Sequence, residues 1–495
     1  MLNQVVYMLS NYPQQLLHSR FNSVADNTID YWMKEDSQGL QSSSILEAIE
    51  NAPWLPRATL QLYLHIAYCA QVCSFCAFSG GNSLDFKTSK EYANLLIWQM
   101  KDLLLRSQAA GKPITSVNIG GGSPDLLKTH IGSILEAVRT LPGCNDQTEI
   151  SIEFALSTVT DDFLDILGEY KVTKASFGIQ TLDSNLRRGL RMSSKPHRME
   201  EVCERLAGKV PIINADLMTG FPGQTINTIV RDHELFINHP IVNSISSYLL
   251  TPGSAPQLIA DIETGRIPAR PDEIKQALFR LHSYTILKDH GWVRKGTNTY
   301  MSPEKISTEI LDKVAGNECI GARRYEDFLI GCGPQAISCL PGIRAENTVD
   351  ITDWIESSRN KDYSFALSKC SLDHQKDMAL WVFPLIADGL AYDEYETLKM
   401  SEAINQEQIA NFEAFCDEGL IFGLGNRYKL SITGEVFMGH LVRNLKKESD
   451  RKVIEDYIEE GYKIAKLLAS KNLKSTNSVN NRQIAKELLS GEESS

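Results

Sequence analysis

The sequence predicts an α/β fold: a partial parallel barrel of about six strand–helix units, preceded by an N-terminal helical arm and followed by a small C-terminal helical, winged-helix-like unit. Three observations predict it. Short β-rich runs alternate with helix-period segments between residues 61 and 250, the pattern of βαβ units. The runs are nearly continuous in apolar residues, as strands covered on both faces are. A length of 495 residues, at roughly 150 per domain, makes two or three folding units.

The elements follow in order. Residues 1–58 carry no sustained period; short helices are expected at 23–32 and 44–52, and Pro53 and Pro56 break the chain before the first strand. Strands are expected at 61–66, 116–119, 149–154, 174–179, 212–216 and 244–250. Helices are expected between them at 89–109, 131–141, 161–170, 196–207 and 225–238. The carboxyl ends of such strands share one rim, where active sites of these barrels sit. Beyond Gly253 the pattern is helical and irregular, with 273–290 the clearest helix and the glycine-rich run 330–342 expected to turn or pack tightly. Helices at 373–387, kinked at Pro384, and 405–418 precede a hairpin at 419–433 around Gly425 and Asn426. The expected divisions are an arm at 1–58, the barrel with its extension at 59–345, the winged-helix-like unit at 346–470 and a polar tail at 471–495.

Composition narrows the function. Lys plus Arg is 50 and Asp plus Glu is 62, a net charge of −12, which argues against attachment to nucleic acid by phosphate attraction. A wing often implies DNA; here the acidic balance favours a structural or lid role. Hydrophobic residues at 42% and aromatics at 8% suffice for an ordinary core. No apolar run approaches the roughly 18 residues of a membrane span. Residues 1–20 lack a basic segment followed by an apolar block and cleavage site, so a cytoplasmic protein is expected, with no membrane partner.

Three of the ten cysteines, Cys69, Cys73 and Cys76, fall within eight residues directly after the first strand, in LYLHIAYCAQVCSFCAFSGG. The remainder are scattered and read as small core residues. A zinc site usually takes four protein ligands, but the next positions here are Ala77 and Phe78. Three thiolates on a [4Fe–4S] cluster leave one iron open to a further ligand. Core cysteines, or a zinc site completed from afar, are the alternative readings.

This segment resembles the cluster motif of radical S-adenosylmethionine (SAM) enzymes. With Tyr63-Leu-His-Ile it resembles, more narrowly, the oxygen-independent coproporphyrinogen III oxidase superfamily. Gly120-Gly-Gly-Ser-Pro124, Ile152-Glu153, Phe177-Gly-Ile-Gln180, Ala215-Asp-Leu-Met-Thr-Gly-Phe-Pro222 and Gly331-Cys-Gly-Pro-Gln-Ala-Ile-Ser338 agree with it in order and context. Each also has a physical reading. Glycines at a strand end let backbone amides and carbonyls approach a ligand, though they also make turns. Glu153 offers two acceptors for ribose hydroxyls, or a solvated charge. Arg187, Arg188 and Arg191 could fork onto a carboxylate or simply form a solvated face.

The resemblance implies a partial (β/α)6 radical SAM barrel in which Cys69, Cys73 and Cys76 hold the cluster and serve catalysis. By the same resemblance Tyr63, Gly121, Glu153 and Ile337 match positions for a first SAM. Phe75, Gly122, Ser123, Gln180, Asp216 and Arg191 match positions for a second, with the Gln180-to-Arg191 spacing one residue shorter than usual. Cluster reduction would cleave the first SAM to a 5′-deoxyadenosyl radical. Four departures shape the expectation. Phe78 stands where the decarboxylases carry a further cysteine, Ala67 stands for the usual proline, and Phe154-Ala-Leu156 follows the Ile-Glu pair. In place of the haem-chaperone His-Asn segment the chain has Glu318-Cys-Ile-Gly-Ala-Arg-Arg-Tyr325.

What remains fits the class C branch, which uses the second SAM as one-carbon donor for methylation or cyclopropanation of an unsaturated ring, a tetrapyrrole or an aromatic natural product. Coproporphyrinogen III oxidative decarboxylation and haem delivery are the alternatives. A small-molecule substrate and a flavodoxin- or ferredoxin-type electron donor are the expected partners. Tyr248, Arg294, Lys295, Tyr300, Arg323 and Arg324 lie where they could line a substrate pocket or merely pack.

Overall fold

The structure is a computed structural model and describes residues 42–56, 58–76, 86–192, 195–250, 255–296, 298–314, 327–369, 381–387, 389–449 and 451. The helix expected at 23–32, the tail at 471–495 and the candidates Arg323 and Arg324 lie outside the described residues.

Six parallel strands form the frame: β1 Leu60–Ile66, β2 Ile114–Gly121, β3 Glu149–Phe154, β4 Lys174–Gln180, β5 Ile212–Thr219 and β6 Ser244–Leu249. They are joined through helices Phe86–Arg106, His130–Arg139, Asp161–Glu169, Met199–Leu206 and Ile226–Asn238. Each end is written locally. Helix Asp161–Glu169, for example, begins where the Thr160 hydroxyl accepts from the Phe163 amide and two aspartates occupy the first turn, against the positive end of the dipole.

Alternation along the strands sorts two faces. Leu60, Leu62, Leu64 and Ile66 of β1 join Val117, Ile119, Ile150, Ile152, Ala175, Phe177, Ile213 and Ala215 in the main core beneath the helices. The residues between them face the lumen and are polar. Ser151 donates to Asn118 at 3.0 Å, Ser244 and Ser246 both donate to Asn214, and Ser246 meets Thr299 at 3.1 Å. The barrel is therefore lined with hydrogen-bonding groups instead of being packed shut.

The edges depart from the sequence expectation. The chain after Gly253 supplies six more strands: β7 Val293–Lys295, β8 Thr299–Met301, β9 Phe328–Cys332, β10 Ile337–Leu340, β11 Ile343–Asn347 and β12 Phe365–Lys369. All twelve make one sheet in the order β12-β11-β10-β9-β1-β2-β3-β4-β5-β6-β8-β7, with β9 running parallel to β1 on the side away from β2. The glycine-rich run is thus a strand, a loop and a second strand. Its glycines permit close approach: a Cβ on Gly331 would stand 2.3 Å from the Ile337 carbonyl oxygen, and one on Gly333 2.3 Å from that of His65.

The C-terminal unit has helices Tyr392–Met400 and Gln406–Asp417 and a three-stranded sheet, β13 Leu390–Ala391, β14 Ile421–Leu424 and β15 Arg427–Leu430, in the order β13-β15-β14. The hairpin stands where Gly425 and Asn426 place it. Of the helix expected at 373–387, the described part is 381–387: a π turn at Trp381 and Val382 runs into helix Phe383–Ala387, which carries Pro384. Tyr395 stacks on Phe412 at 4.3 Å, and Phe412 meets Tyr428 edge-on at 5.0 Å. Helix Ile432–Val436 docks this unit on helix Glu273–Asp289 of the barrel. Among the described residues no helix is long and apolar enough to cross a membrane.

Candidate functional site

The cysteine motif forms the loop at the carboxyl end of β1, and Cys69, Cys73 and Cys76 are half-buried. The loop is tied to the far side of the barrel. The Ser74 amide and hydroxyl both donate to the Leu190 carbonyl, at 3.1 and 3.0 Å, and Gln71 Nε2 donates to the Arg191 carbonyl at 3.1 Å. Phe75 packs edge-on against Phe221 at 5.1 Å in a small apolar cluster with Leu190, Leu250 and Ile267.

Around this loop stand the other strand ends. The Tyr63 hydroxyl bonds His65 Nδ1 at 2.9 Å across one side of β1. The His65 ring occupies the space a side chain at position 121 would need, 2.6 Å from an added Cβ, and Gly121 has φ 104°. A Cβ on Gly122 would meet the Tyr68 carbonyl oxygen at 2.3 Å. The glycines therefore make a side-chain-free cradle. His65 is not among the residues the sequence singles out; its signal is the spacing of two from Tyr63, which puts both on the lumen face.

Glu153 ends β3 directly beneath Gly120, whose Cβ would stand 2.8 Å from its carboxyl carbon. Loss of hydration and the Asp216 charge push the Glu153 carboxyl up to about 7, against the opposing pull of Lys174 and the Gly121 amide. Asp216 is pushed up to about 6 by loss of hydration, moderated by Lys174, Asn214 and Ser246. Both half-buried carboxyls face the lumen, and strand alternation puts Lys174 on that face too.

Gln180, on β4 between them, has φ 67°, a conformation that disfavours side chains other than glycine. Its amide folds over Gly178, and its Oε1 is buried without a hydrogen-bond partner. Gln335, in the loop between β9 and β10, repeats the pattern with φ 64° and an unpartnered buried Nε2. That loop leads to half-buried Ile337 and is held by Gln99, whose Oε1 accepts from the Gly333 amide and the Trp354 indole at 2.8 and 3.0 Å. Strained backbone together with orphaned polar atoms is the mark of a ligand site.

Other sequence candidates have different partners. The Ser123 hydroxyl is buried and donates to Asp125 Oδ1 at 2.6 Å, and that oxygen also accepts from the Ala155 amide, so the pair joins the ends of β2 and β3. Arg191 lies 3.5 Å from Asp261, which Arg266 also grips. Arg294 and Tyr300 turn to Glu435 of the C-terminal unit. A cavity of about 350 Å³ lies at the opposite, amino ends of β3 to β5. Its cations are engaged: Arg139 on the Tyr170 and Lys171 carbonyls, Lys209 on Asp165 and Lys313 on Glu309. It does not compete with the rim as a site.

The donor set at the rim is three thiols on one short loop, next to a glycine cradle. Among the described residues no three His, Cys, Asp or Glu side chains converge at ligand distance, so the thiols share a loop without sharing a point. The chemistry of that set fits a cluster held by three thiolates, and the cradle with its two carboxyls fits an amino-acid nucleotide.

The radical SAM superfamily model matches residues 63–236, the span from Tyr63 through the fifth barrel helix. Residues 63–236 form a radical SAM domain, whose cofactors are a [4Fe–4S] cluster and SAM. Within that superfamily the chain resembles the oxygen-independent coproporphyrinogen III oxidases. It is 26% identical over 317 residues to the oxygen-independent coproporphyrinogen III oxidase of Cereibacter sphaeroides, covering 62% of this chain and 68% of that one. It is 27% identical over 194 residues to the heme chaperone HemW of Buchnera aphidicola subsp. Schizaphis graminum, covering 39% and 50%. The structure of coproporphyrinogen III oxidase (HemN) from Escherichia coli shares the fold, with TM-score 0.66 at 17% identity over 84% of this chain and 97% of that one. The chain spans about half to two thirds of the length of the curated relatives it matches.

Proposed function

We propose that the chain is a radical SAM enzyme that binds two SAM molecules and carries out C-methylation or cyclopropanation of an unsaturated ring substrate, a tetrapyrrole or an aromatic natural product. The observation that carries this reading is the pair of lumen-facing carboxyls, Glu153 and Asp216, on separate strands, with strained Gln180 between them. Two ribose acceptors suit two nucleotides better than one.

Cys69, Cys73 and Cys76 hold the cluster. Tyr63, Gly121, Glu153 and Ile337 hold the first SAM; Phe75, Gly122, Gln180 and Asp216 hold the second. Ser123, through Asp125, positions the glycine cradle, and Arg191 orders the rim from its place beside Asp261. When bound, the cluster and nucleotide supply hydrogen-atom abstraction from carbon. The chain's own contribution is to orient and to exclude water. Phe75 and Phe221 close one side of the mouth, and the glycines let backbone groups approach the amino-acid end. Ionised Glu153 accepts from a hydroxyl more strongly than its acid form does, so nucleotide affinity rises as pH climbs past about 7.

The reading includes a small-molecule substrate, a flavodoxin- or ferredoxin-type electron donor and a cytoplasmic location. It keeps the division into arm, barrel, winged-helix-like unit and tail. A second reading, oxidative decarboxylation of coproporphyrinogen III, is favoured by the oxidase relative; Phe78 in place of a further cysteine weighs against it. A third, haem delivery, follows the chaperone relative.

Anaerobic turnover with methyl-labelled SAM and a panel of porphyrin and aromatic substrates separates them. Label in the product supports methyl or methylene transfer. Decarboxylation without label rejects it in favour of the oxidase reading. Stoichiometric haem retention without 5′-deoxyadenosine formation supports the chaperone reading.

A further inference from the structure

Arg187 belongs to the short helix Ser184–Gly189 that follows β4, and it is 9% exposed. Its Nη1 donates to the Ile179 carbonyl at 2.7 Å and to the Thr181 carbonyl at 2.8 Å, the two carbonyls that bracket Gln180. A single side chain thus clamps the backbone on both sides of the residue held at φ 67°. The Thr181 hydroxyl, in turn, donates to Asp232 at 2.5 Å.

The same residue starts the turn on which the cluster loop rests. Its carbonyl accepts from the Met192 amide at 3.0 Å, closing residues 187–192 into a loop. The carbonyls of Leu190 and Arg191 in that loop receive Ser74 and Gln71. Arg191 itself adopts φ 54° to present its carbonyl there. The cluster loop is therefore anchored to the element that fixes Gln180, on the opposite side of the mouth.

Capping two carbonyls needs donors, not charge. A buried guanidinium costs several kcal/mol of hydration unless negative groups offset it. Burial weakens the Arg187 charge, and Cys73 and Asp232 offset part of that cost. Asp232 already accepts the Thr181 hydroxyl and lies 3.9 Å from Arg231. Of the two, Cys73 belongs to the cluster loop, which Ser74 and Gln71 tie to the turn that Arg187 closes.

We propose that Arg187 is a positioning residue that couples the two halves of the rim: it fixes the left-handed turn at Gln180 and sets a permanent positive charge beside the Cys73 ligand. The inference rests on the reading of Cys69, Cys73 and Cys76 as cluster ligands. A fixed cation favours the more negative, reduced state of the cluster, so it raises the midpoint potential. A residue that only filled space would leave that potential unchanged.

The test is potentiometric titration, followed by EPR, of the anaerobically reconstituted full chain as wild type, R187K and R187Q, together with SAM stoichiometry by equilibrium dialysis. For R187Q we expect the reduced-to-oxidised ratio at fixed potential to fall roughly tenfold, about 59 mV for a one-electron couple. R187K keeps the charge and should recover most of that ratio. It should nevertheless bind the second SAM several-fold more weakly, because one ammonium does not reproduce the planar clamp. A cluster in R187Q with wild-type potential and SAM stoichiometry would overturn the coupling. If R187Q holds no iron, R187K decides: retention near the wild-type potential supports the role, and loss of iron there too contradicts it. If the wild-type chain itself forms no cluster, the cofactor reading fails, a result distinct from failure of the coupling.

Discussion

Two glutamates, one at the rim and one at the seam with the C-terminal unit, show what separates a working site from a structural joint. Glu435, 4% exposed, meets Lys288 at 2.8 Å, Arg294 at 3.2 Å and the Tyr300 hydroxyl at 3.2 Å. Its charge is matched by donors from helix Glu273–Asp289, β7 and β8, and it pins one unit to the other. Glu153 faces the lumen opposite another carboxyl, under a backbone that a Cβ would not fit. One carboxylate is matched by two cations and a hydroxyl; the other, against lost hydration and a second carboxyl, has only the pull of Lys174 and the Gly121 amide to favour its charge. The seam is built for stability and the rim for binding, at some cost in stability.

The comparison breaks most sharply at the cysteines. Cys73→Ala should abolish cluster binding outright while the far-UV circular dichroism and Tm stay near wild type, because a half-buried loop thiol carries little packing. Unfolding of the iron-free variant would place Cys73 among the core residues instead. Next in size, Glu435→Ala leaves two cations facing a vacated buried site and should cost about 3–5 kcal/mol in urea unfolding. A cost below about 1 kcal/mol would show that the seam does not depend on that ion cluster.

The opposite sign is expected at the rim. Glu153→Gln should lower SAM affinity at least tenfold yet raise the stability of the nucleotide-free chain by about 1–3 kcal/mol at pH 8. A variant that lost both would make Glu153 a structural residue like Glu435.

The same carboxyls give a pH trend. Folding raises Glu153 from its usual 4.5 to about 7 and Asp216 from 3.8 to about 6. The folded state therefore binds these protons more tightly. That contribution is full below the unfolded values and is lost as pH rises through about 6 and 7. The Tm of the nucleotide-free wild type should fall between pH 5 and 8, and Glu153→Gln should flatten the slope.

The contrast also explains which parts were legible in the sequence. The rhythm from Leu60 to Leu249 was readable because each strand sets buried apolar residues at alternate positions and each helix carries its own period and caps; the polar lumen positions between them correct the expectation of nearly continuous apolar runs. The edge strands were not. β7 and β8 have three residues each, too short for a period, and β9 to β10 is threaded with glycines that signal turns unless one knows that the Ile337 and His65 carbonyls press against them.

At the site, the cysteine spacing and the motifs at strand ends point to the rim at the carboxyl ends of the strands. Spacing could not show that the Ser123 hydroxyl turns to Asp125, that Arg191 finds Asp261 some 70 residues on, or that Arg294 and Tyr300 turn to Glu435. Such pairings are made by the assembled fold, and no local pattern encodes them. Nor does the cavity at the amino ends of β3 to β5 mark the site: its cations are engaged, whereas the rim is marked by strain at Gln180 and Gln335 and by polar atoms left over.

On this reading the rim holds a three-thiolate cluster with one iron open to SAM. The most direct measurement is EPR of the anaerobically reconstituted, dithionite-reduced chain before and after SAM is added. The account predicts a [4Fe–4S]⁺ signal whose g values shift on adding SAM, and loss of that signal in Cys73→Ala. A chain that binds no cluster, or a cluster whose spectrum is indifferent to SAM, would contradict it.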